Sequence, residues 1–412
     1  MFLSPRTHKN PMQHISRKEF TLLMAMLMSI VAISIDAMLP ALGLLHQDFT
    51  LEHPNQVQLV IMLIFAGMAI GQLIAGPMSD ALGRKPVLYA GLALYLVGSV
   101  ICYQAASFDL LLFGRFVQGL GVAGPYVTAI SVVRDKYSGR DMAQAMSLIM
   151  MIFILVPAIA PSLGQAILHI ASWRAIFLLY ICYSIFVGLW IMFRLDETLK
   201  PENRLPMRVS AFAHALSTII SNRTTMSYTL CMGLCFGSFI GYLGASQQIF
   251  QEQFGVGEAF ALYFGALALI LGVASLTNSC IVGKVGMRPI CLRAMSAIII
   301  ASFVFLVLQQ FTPVTLPLFF IYVAILFFSF GLMFGNLNAI AMEPMGEIAG
   351  MASALTGAVS SLLSLTLGTF IGQMYNHTLI PLTCGFLVLG IISFLLMLSE
   401  YRYHQKQLPT HS

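Results

Sequence analysis

One carboxylate interrupts the first long apolar run of the chain. Asp36 lies 16 residues beyond Phe20, with only Thr21, Ser29 and Ser34 as polar company between them. An ionised side chain at that depth costs roughly 3 kcal/mol on insertion scales and more in simulation, so Asp36 is expected to face a cavity or a partner. Burial favours the neutral acid, and a nearby cation favours the ionised one. That opposition suits a group that loads and releases a proton. Asp36 is therefore the candidate proton-coupling residue; the alternative is a structural Asp paired permanently with Arg115. Depth makes Arg115 the natural partner. At 1.5 Å per residue, Asp36 is about 24 Å beyond Phe20, and Arg115 about 9 Å beyond Asp109 on an oppositely running segment. Both then fall in the outer half of a bilayer about 30 Å thick. Gln118, three positions after Arg115, shares its helix face. It serves either a cavity or an interhelical hydrogen bond.

A second polar concentration is the stretch from Gly76 to Pro86, between two apolar runs. Gly76 and Gly83 allow a tight turn, and Pro86 suits a helix start. Asp80 can pair with Arg84, or lie at the positive end of a later helix near Gly350. Arg84 or Lys85 can reach Asp135. Exposed pairs of this kind are worth only about 0–1 kcal/mol, which suits a gate that opens each cycle; simple anchoring by Arg84 and Lys85 is the alternative. Pro157 and Pro161 are one turn apart and each lacks an N–H, so their helix is expected to bend; Gly164 permits close approach of a neighbour. Tyr126, Tyr228, Gln247, Asn336 and Asn338 are the candidate cavity residues, with the aromatic and Met-rich runs over Thr225–Ile249 and Leu316–Ala341 beside them. No Walker loop, metal-binding His cluster or nucleophile motif is present, so ATP hydrolysis, a metal site and an enzyme activity have no support. The same holds for a nucleic-acid partner. Cys231 and Cys235, one helical turn apart, read as packing residues.

These residues sit in a chain of 412 residues, 58% hydrophobic and only 9% charged. Soluble domains run near 25% charged, so this one is expected to live in a lipid bilayer. Twelve apolar runs reach the length of a span: Phe20–Leu45, Val57–Met78, Val87–Ala106, Leu110–Val133, Met142–Ile167, Trp173–Phe193, Thr225–Ile249, Ala259–Val282, Ile290–Gln309, Leu316–Ala341, Met351–Tyr375 and Leu379–Ser399. The longest polar connector, Arg194 to Thr224, splits them six and six. The expected organisation is a tail over 1–19, a six-helix bundle over 20–193, a linker over 194–224, a second bundle over 225–399 and a tail over 400–412. With both termini cytoplasmic, 19 of the 21 Lys and Arg residues fall on the cytoplasmic side, as the positive-inside rule requires. Gly83-Arg84-Lys85-Pro86-Val87 is echoed 203 residues later by Gly286-Met287-Arg288-Pro289-Ile290, with Gly283 in place of Asp80. The fold class is an all-α membrane protein, two pseudo-symmetric six-helix bundles with a site expected near the midplane where they meet.

The arrangement resembles the major facilitator superfamily. Gly76, Asp80, Gly83, Arg84 and Lys85 match its first-loop signature, and Arg115, Gln118 and Gly119 its fourth-helix signature. The stretch from Pro157 to Gln165 is similar to the fifth-helix motif of antiporter members, with Ala160 and Gln165 at positions where glycine is common. Asp36-Ala37-Met38-Leu39-Pro40-Ala41-Leu42, Trp173-Arg174-Ala175-Ile176-Phe177 and Ala349-Gly350-Met351-Ala352-Ser353-Ala354-Leu355 resemble the bicyclomycin/chloramphenicol-resistance (Bcr/CflA) branch. The resemblance implies proton-coupled multidrug efflux by alternating access, with Pro157, Pro161 and Gly164 forming a hinge that seals against proton leak. It further implies a monomer in the bacterial inner membrane, with small amphipathic drugs and protons as partners and the proton gradient, not a cofactor, as energy source. A proton-coupled carrier of a sugar, nucleoside or amino acid on the same fold is the alternative.

Overall fold

The computed structural model describes residues 15–204 and 216–407, without the side chains of 139, 140, 143, 203, 347–350 and 407. Arg6, Lys9 and Arg208 from the charge reading lie outside the described residues. Among those described there is no strand. Among the described residues, twelve segments are long and apolar enough to cross a membrane: Arg17–Asp48, Pro54–Leu82, Arg84–Tyr103, Phe108–Lys136, Gln144–Ile170, Arg174–Arg194, Arg223–Gln253, Gly257–Val285, Met287–Phe311, Leu316–Gly346, Met351–Gln373 and Ile380–Lys406. They are numbered as spans one to twelve below.

Span one is not the single helix that its apolar run suggests. It is α-helical over Arg17–Asp36, 3-10 over Leu39–Ala41, and α-helical again over Leu42–Asp48. Pro40 explains the break, because it has no N–H to offer the Asp36 carbonyl one turn back and its ring clashes with that carbonyl. The Met38 N–H bonds to Ile35 O at 3.2 Å, so the carbonyl of Ser34 loses its in-helix donor. Span seven ends in a wide π-helical turn over Gln248–Gln253. Span five carries Pro157 and Pro161 inside one helical stretch, Gly139–Ile170.

Neighbour relations repeat with a step of six spans. Spans two and three pack on four as eight and nine pack on ten; one packs on five as seven packs on eleven; three meets six as nine meets twelve. The main contacts between the halves obey the same rule, span five against eight and span eleven against two. Gly83 and Gly286, at matching places in the repeat, take φ of +111° and +86°, a region that favours glycine.

Spans one, four and seven are the most buried. Span four owes its position to glycine. A Cβ on Gly119 would stand 2.2 Å from Ile64 O in span two, and one on Gly121 would stand 2.3 Å from Tyr95 N in span three. Any side chain at either place pushes backbone against backbone, so span four lies directly between its two neighbours.

Candidate functional site

The freed carbonyl of Ser34 is the key to the first site. Arg115, fully buried on span four, donates from Nη2 to Ser34 O at 2.9 Å and from Nε to Val60 O at 2.9 Å. Its Nη1 reaches Gln118 Oε1 at 3.1 Å, and its guanidinium lies 5.8 Å from the centre of the Phe177 ring. A buried cation is thus held by two backbone carbonyls, that of Ser34 at the negative end of its helix, rather than by a carboxylate. Tyr180 donates to Ile33 O at 3.2 Å and to Ser34 O at 3.3 Å. Gln118 Nε2 donates to Ser99 Oγ at 2.8 Å, so this residue joins span four to span three.

Asp36 is the last residue of the first helical segment, and it is 5% exposed. It makes no hydrogen bond or ion pair with any described residue. Arg115 and Asp36 therefore share the break without bonding to each other, and permanent pairing does not describe this geometry. Tyr180 is within electrostatic reach of both. Span five completes the site. A Cβ on Gly164 would lie 2.0 Å from Ala37 O, so glycine there lets span five seat its backbone on the residue after Asp36.

The signature stretch from Gly76 builds a second cluster at the basic end of the molecule. Arg84 Nε donates to Asp135 Oδ2 at 2.8 Å, and Nη1 to Asp80 Oδ1 at 2.6 Å. The Arg84 side chain is 4% exposed. Gly76 approaches Ala354 of span eleven. Lys85 does not join the ion pairs: its ammonium lies 5.9 Å from the centre of the Tyr89 ring. Glu197, in the linker, is a member that motif reading missed. It accepts from the backbone N–H groups of Arg84 at 2.9 Å and Lys85 at 3.0 Å, which caps span three at its positive end. The repeat contains the signal: Glu400 lies 203 residues after Glu197. Glu400, fully buried, accepts from Arg288 at 3.3 Å and Thr224 at 3.0 Å, and Arg288 also reaches Glu343 at 3.0 Å. Each half thus has an Arg held by two carboxylates.

The model of the Major Facilitator Superfamily matches residues 21–369. The chain belongs to this superfamily. A protein of Bacillus subtilis strain 168 described as an uncharacterized MFS-type transporter, YdgK, is 30% identical over 92% of this chain and 94% of that protein. The bicyclomycin resistance protein homolog of Haemophilus influenzae is 28% identical, covering 88% of this chain and 91% of that one. The multidrug resistance protein MdtL of Salmonella heidelberg is 29% identical, covering 84% and 86%. Among solved structures, a D-xylose-proton symporter superposes with a TM-score of 0.71 at 13% identity, covering 92% of this chain and 97% of that one. That likeness shows the twelve-helix transporter fold alone.

In this superfamily member the ends opposite the basic face are clasped by neutral amides that the sequence did not single out. Asn55 Nδ2 donates to Gln373 O at 3.0 Å and Tyr375 O at 2.7 Å, and Gln248 Nε2 donates to Asn55 Oδ1 at 3.1 Å. Gln58 Nε2 donates to Gln248 Oε1 at 2.6 Å. Spans two, seven and eleven are thereby joined across the halves.

The candidate cavity residues are scattered. Gln247 donates to Gln251 at 3.0 Å and Glu252 at 3.3 Å within its own span, its amide against Gly43 of span one. Tyr228 is fully buried within the second half, beside Glu400. Asn336 exchanges hydrogen bonds with Asn278 at 2.8 and 3.3 Å, joining spans ten and eight. Asn338 is exposed and Tyr126 half-buried. The aromatic runs of spans seven and ten form a cluster where the two meet: Phe236 stacks on Phe334 at 4.2 Å, Phe334 on Phe330 at 5.1 Å, and Phe239 packs edge-on to both Phe330 and Phe334.

Proposed function

We propose that this protein exports small amphipathic, drug-like compounds across the bacterial inner membrane in exchange for protons. The two halves alternate access, and Asp36 carries the coupled proton. The observation that carries this reading is the solitary Asp36 at the break of span one. An ionised carboxylate there has no cation of its own, and burial without a partner is costly. A proton, or a cationic group of a substrate, supplies what is missing, so the two can compete for one site. Arg115 is a positioning residue: it holds the break open by occupying the Ser34 carbonyl.

The names of the bicyclomycin-resistance and multidrug-resistance relatives, each similar over most of both chains, support drugs as the substrate class. The Phe236–Phe334 cluster supports it chemically, because aromatic walls suit broad, apolar ligands. Transport in this reading runs on the proton gradient without a cofactor and without a reaction catalysed on the substrate, in a monomer with its basic face and both termini in the cytoplasm. The Arg84 cluster with Asp80 and Asp135 forms the cytoplasmic gate, supported by the contact of Gly76 with span eleven. The hinge at Pro157, Pro161 and Gly164 keeps span five on the Asp36 break.

The test is a drug-susceptibility panel in an efflux-deficient host. The wild type raises tolerance to a set of amphipathic compounds, and Asp36→Asn, expressed at the same level, does not. Equal tolerance conferred by both forms contradicts the assignment. Metabolite uptake in the same strains tests the alternative carrier reading.

A further inference from the structure

The basic face has a groove that the transport site does not use. It measures about 430 Å³ and lies along the last turns of span twelve beside the start of span seven. Its lining follows one stripe of the helix. Leu395, Leu398, Arg402 and Lys406 recur at intervals of three and four residues, the spacing that puts side chains on one face. The stripe changes character along its length. Leu395 is 58% exposed and apolar, as hydrocarbon contact requires. Lys406 lies 11 residues further, about 16 Å along the axis, at the basic end.

The cations there are available. Arg402 and Lys406 are exposed, and neither has a hydrogen bond or ion pair with a described residue. Arg223 closes the groove from span seven, its guanidinium 4.6 Å from the centre of the Tyr403 ring and 2.7 Å from Ser399 Oγ. That stacking fixes one cation at the wall while leaving other donors of the guanidinium open. The neighbouring carboxylate does not neutralise the groove, because Glu400 is fully buried and turned to Arg288 and Thr224.

We infer that this groove binds an anionic glycerophospholipid of the leaflet at the basic face, its phosphate between Arg223, Arg402 and Lys406 and an acyl chain along Leu395 and Leu398. Basic pockets between helices on that side of a membrane recognise such headgroups. The apolar floor is what favours a lipid over a free phosphate. The site joins the first and last helices of the second half, so an occupant ties them together at the face that opens and closes.

The experiment uses the full-length protein in detergent micelles, titrated with phosphatidylglycerol, phosphatidylcholine or glycerol 3-phosphate and read by native mass spectrometry. Phosphatidylglycerol is expected to bind as a resolved adduct, with phosphatidylcholine and glycerol 3-phosphate much weaker. Arg402→Gln with Lys406→Gln is expected to weaken phosphatidylglycerol about thirtyfold, the factor corresponding to about 1 kcal/mol for each of two surface cations. Lys18→Gln with Lys284→Gln removes the same charge from the same face away from the groove and is expected to retain wild-type affinity. Equal binding of phosphatidylcholine, tight binding of glycerol 3-phosphate, or equal loss in the two double variants overturns the inference. A melting curve of each lipid-free variant separates loss of binding from loss of fold.

Discussion

Replacing Gly164 by alanine puts a methyl group where the backbone of span one already is. Its carbon would stand 2.0 Å from Ala37 O and 2.9 Å from the Ala37 carbonyl carbon, whereas ordinary contact begins near 3.4 Å. Both obstacles are backbone, so relief requires span five to retreat by more than an ångström. Two effects compete. Alanine in a helix interior gains about 0.5–1 kcal/mol over glycine, and overpacking costs about 1–3 kcal/mol. The clash wins, giving net destabilisation of up to about 2.5 kcal/mol. Gly188 is the matched control, because a Cβ there meets nothing nearer than Leu92 Cδ1 at 3.9 Å. Gly188→Ala keeps only the helix gain. Thermal unfolding in one detergent is expected to show a lower midpoint for Gly164→Ala and an equal or higher one for Gly188→Ala. Drug efflux is expected to fall only in the first, since Ala37 adjoins Asp36. A midpoint and efflux rate for Gly164→Ala equal to those of Gly188→Ala refute the claim that span five is seated on the break.

Arg115→Lys keeps the charge but cannot reach Ser34 O, Val60 O and Gln118 together, because lysine has no fork of donors. With at least one buried charge-assisted hydrogen bond lost, at about 1.5–3 kcal/mol, its midpoint drops and its transport falls; wild-type values for both contradict the carbonyl-cradle account. At the basic face Asp135→Asn is expected to destabilise more than Asp80→Asn. Asp135 is the less exposed partner, 15% against 31%, and binds Arg84 through two nitrogens; the reverse order in melting midpoints overturns that ranking. Asn55→Ala removes three side-chain hydrogen bonds of the clasp, each worth about 0.5–1.5 kcal/mol net. Spin labels on Leu51→Cys and His377→Cys, in a cysteine-free background, are expected to report a larger fraction of long distances, and an unchanged distribution contradicts the clasp.

Much of this is legible in the amino-acid sequence. Apolar runs revealed the twelve spans because lipid imposes length, and the cations marked one face because insertion imposes charge asymmetry. The Arg84–Asp135 pair was readable from a signature and a nearby acid. The break at Asp36 was harder, since Pro40 signals a disturbance but not which carbonyl it frees. Arg115 was assigned a carboxylate partner because side chains are visible in a sequence and unpaired backbone carbonyls are not. The cavity residues were the least legible. Outward faces meet lipid and inward faces meet protein, both apolar, so hydropathy does not reveal which way a polar residue points. Tyr228 accordingly lies in a packed interior, and Gln247 is bonded within its own span. Glu197 was within reach, because the repeat that pairs Gly83 with Gly286 also pairs it with Glu400.

The central claim is that Asp36 carries the coupled proton. The most direct measurement is substrate-induced proton release from purified protein in weakly buffered detergent, using a compound selected by the susceptibility panel. The wild type is expected to release protons on binding the compound, while Asp36→Asn, folded and still binding the compound, releases none. Undiminished proton release from Asp36→Asn contradicts the account.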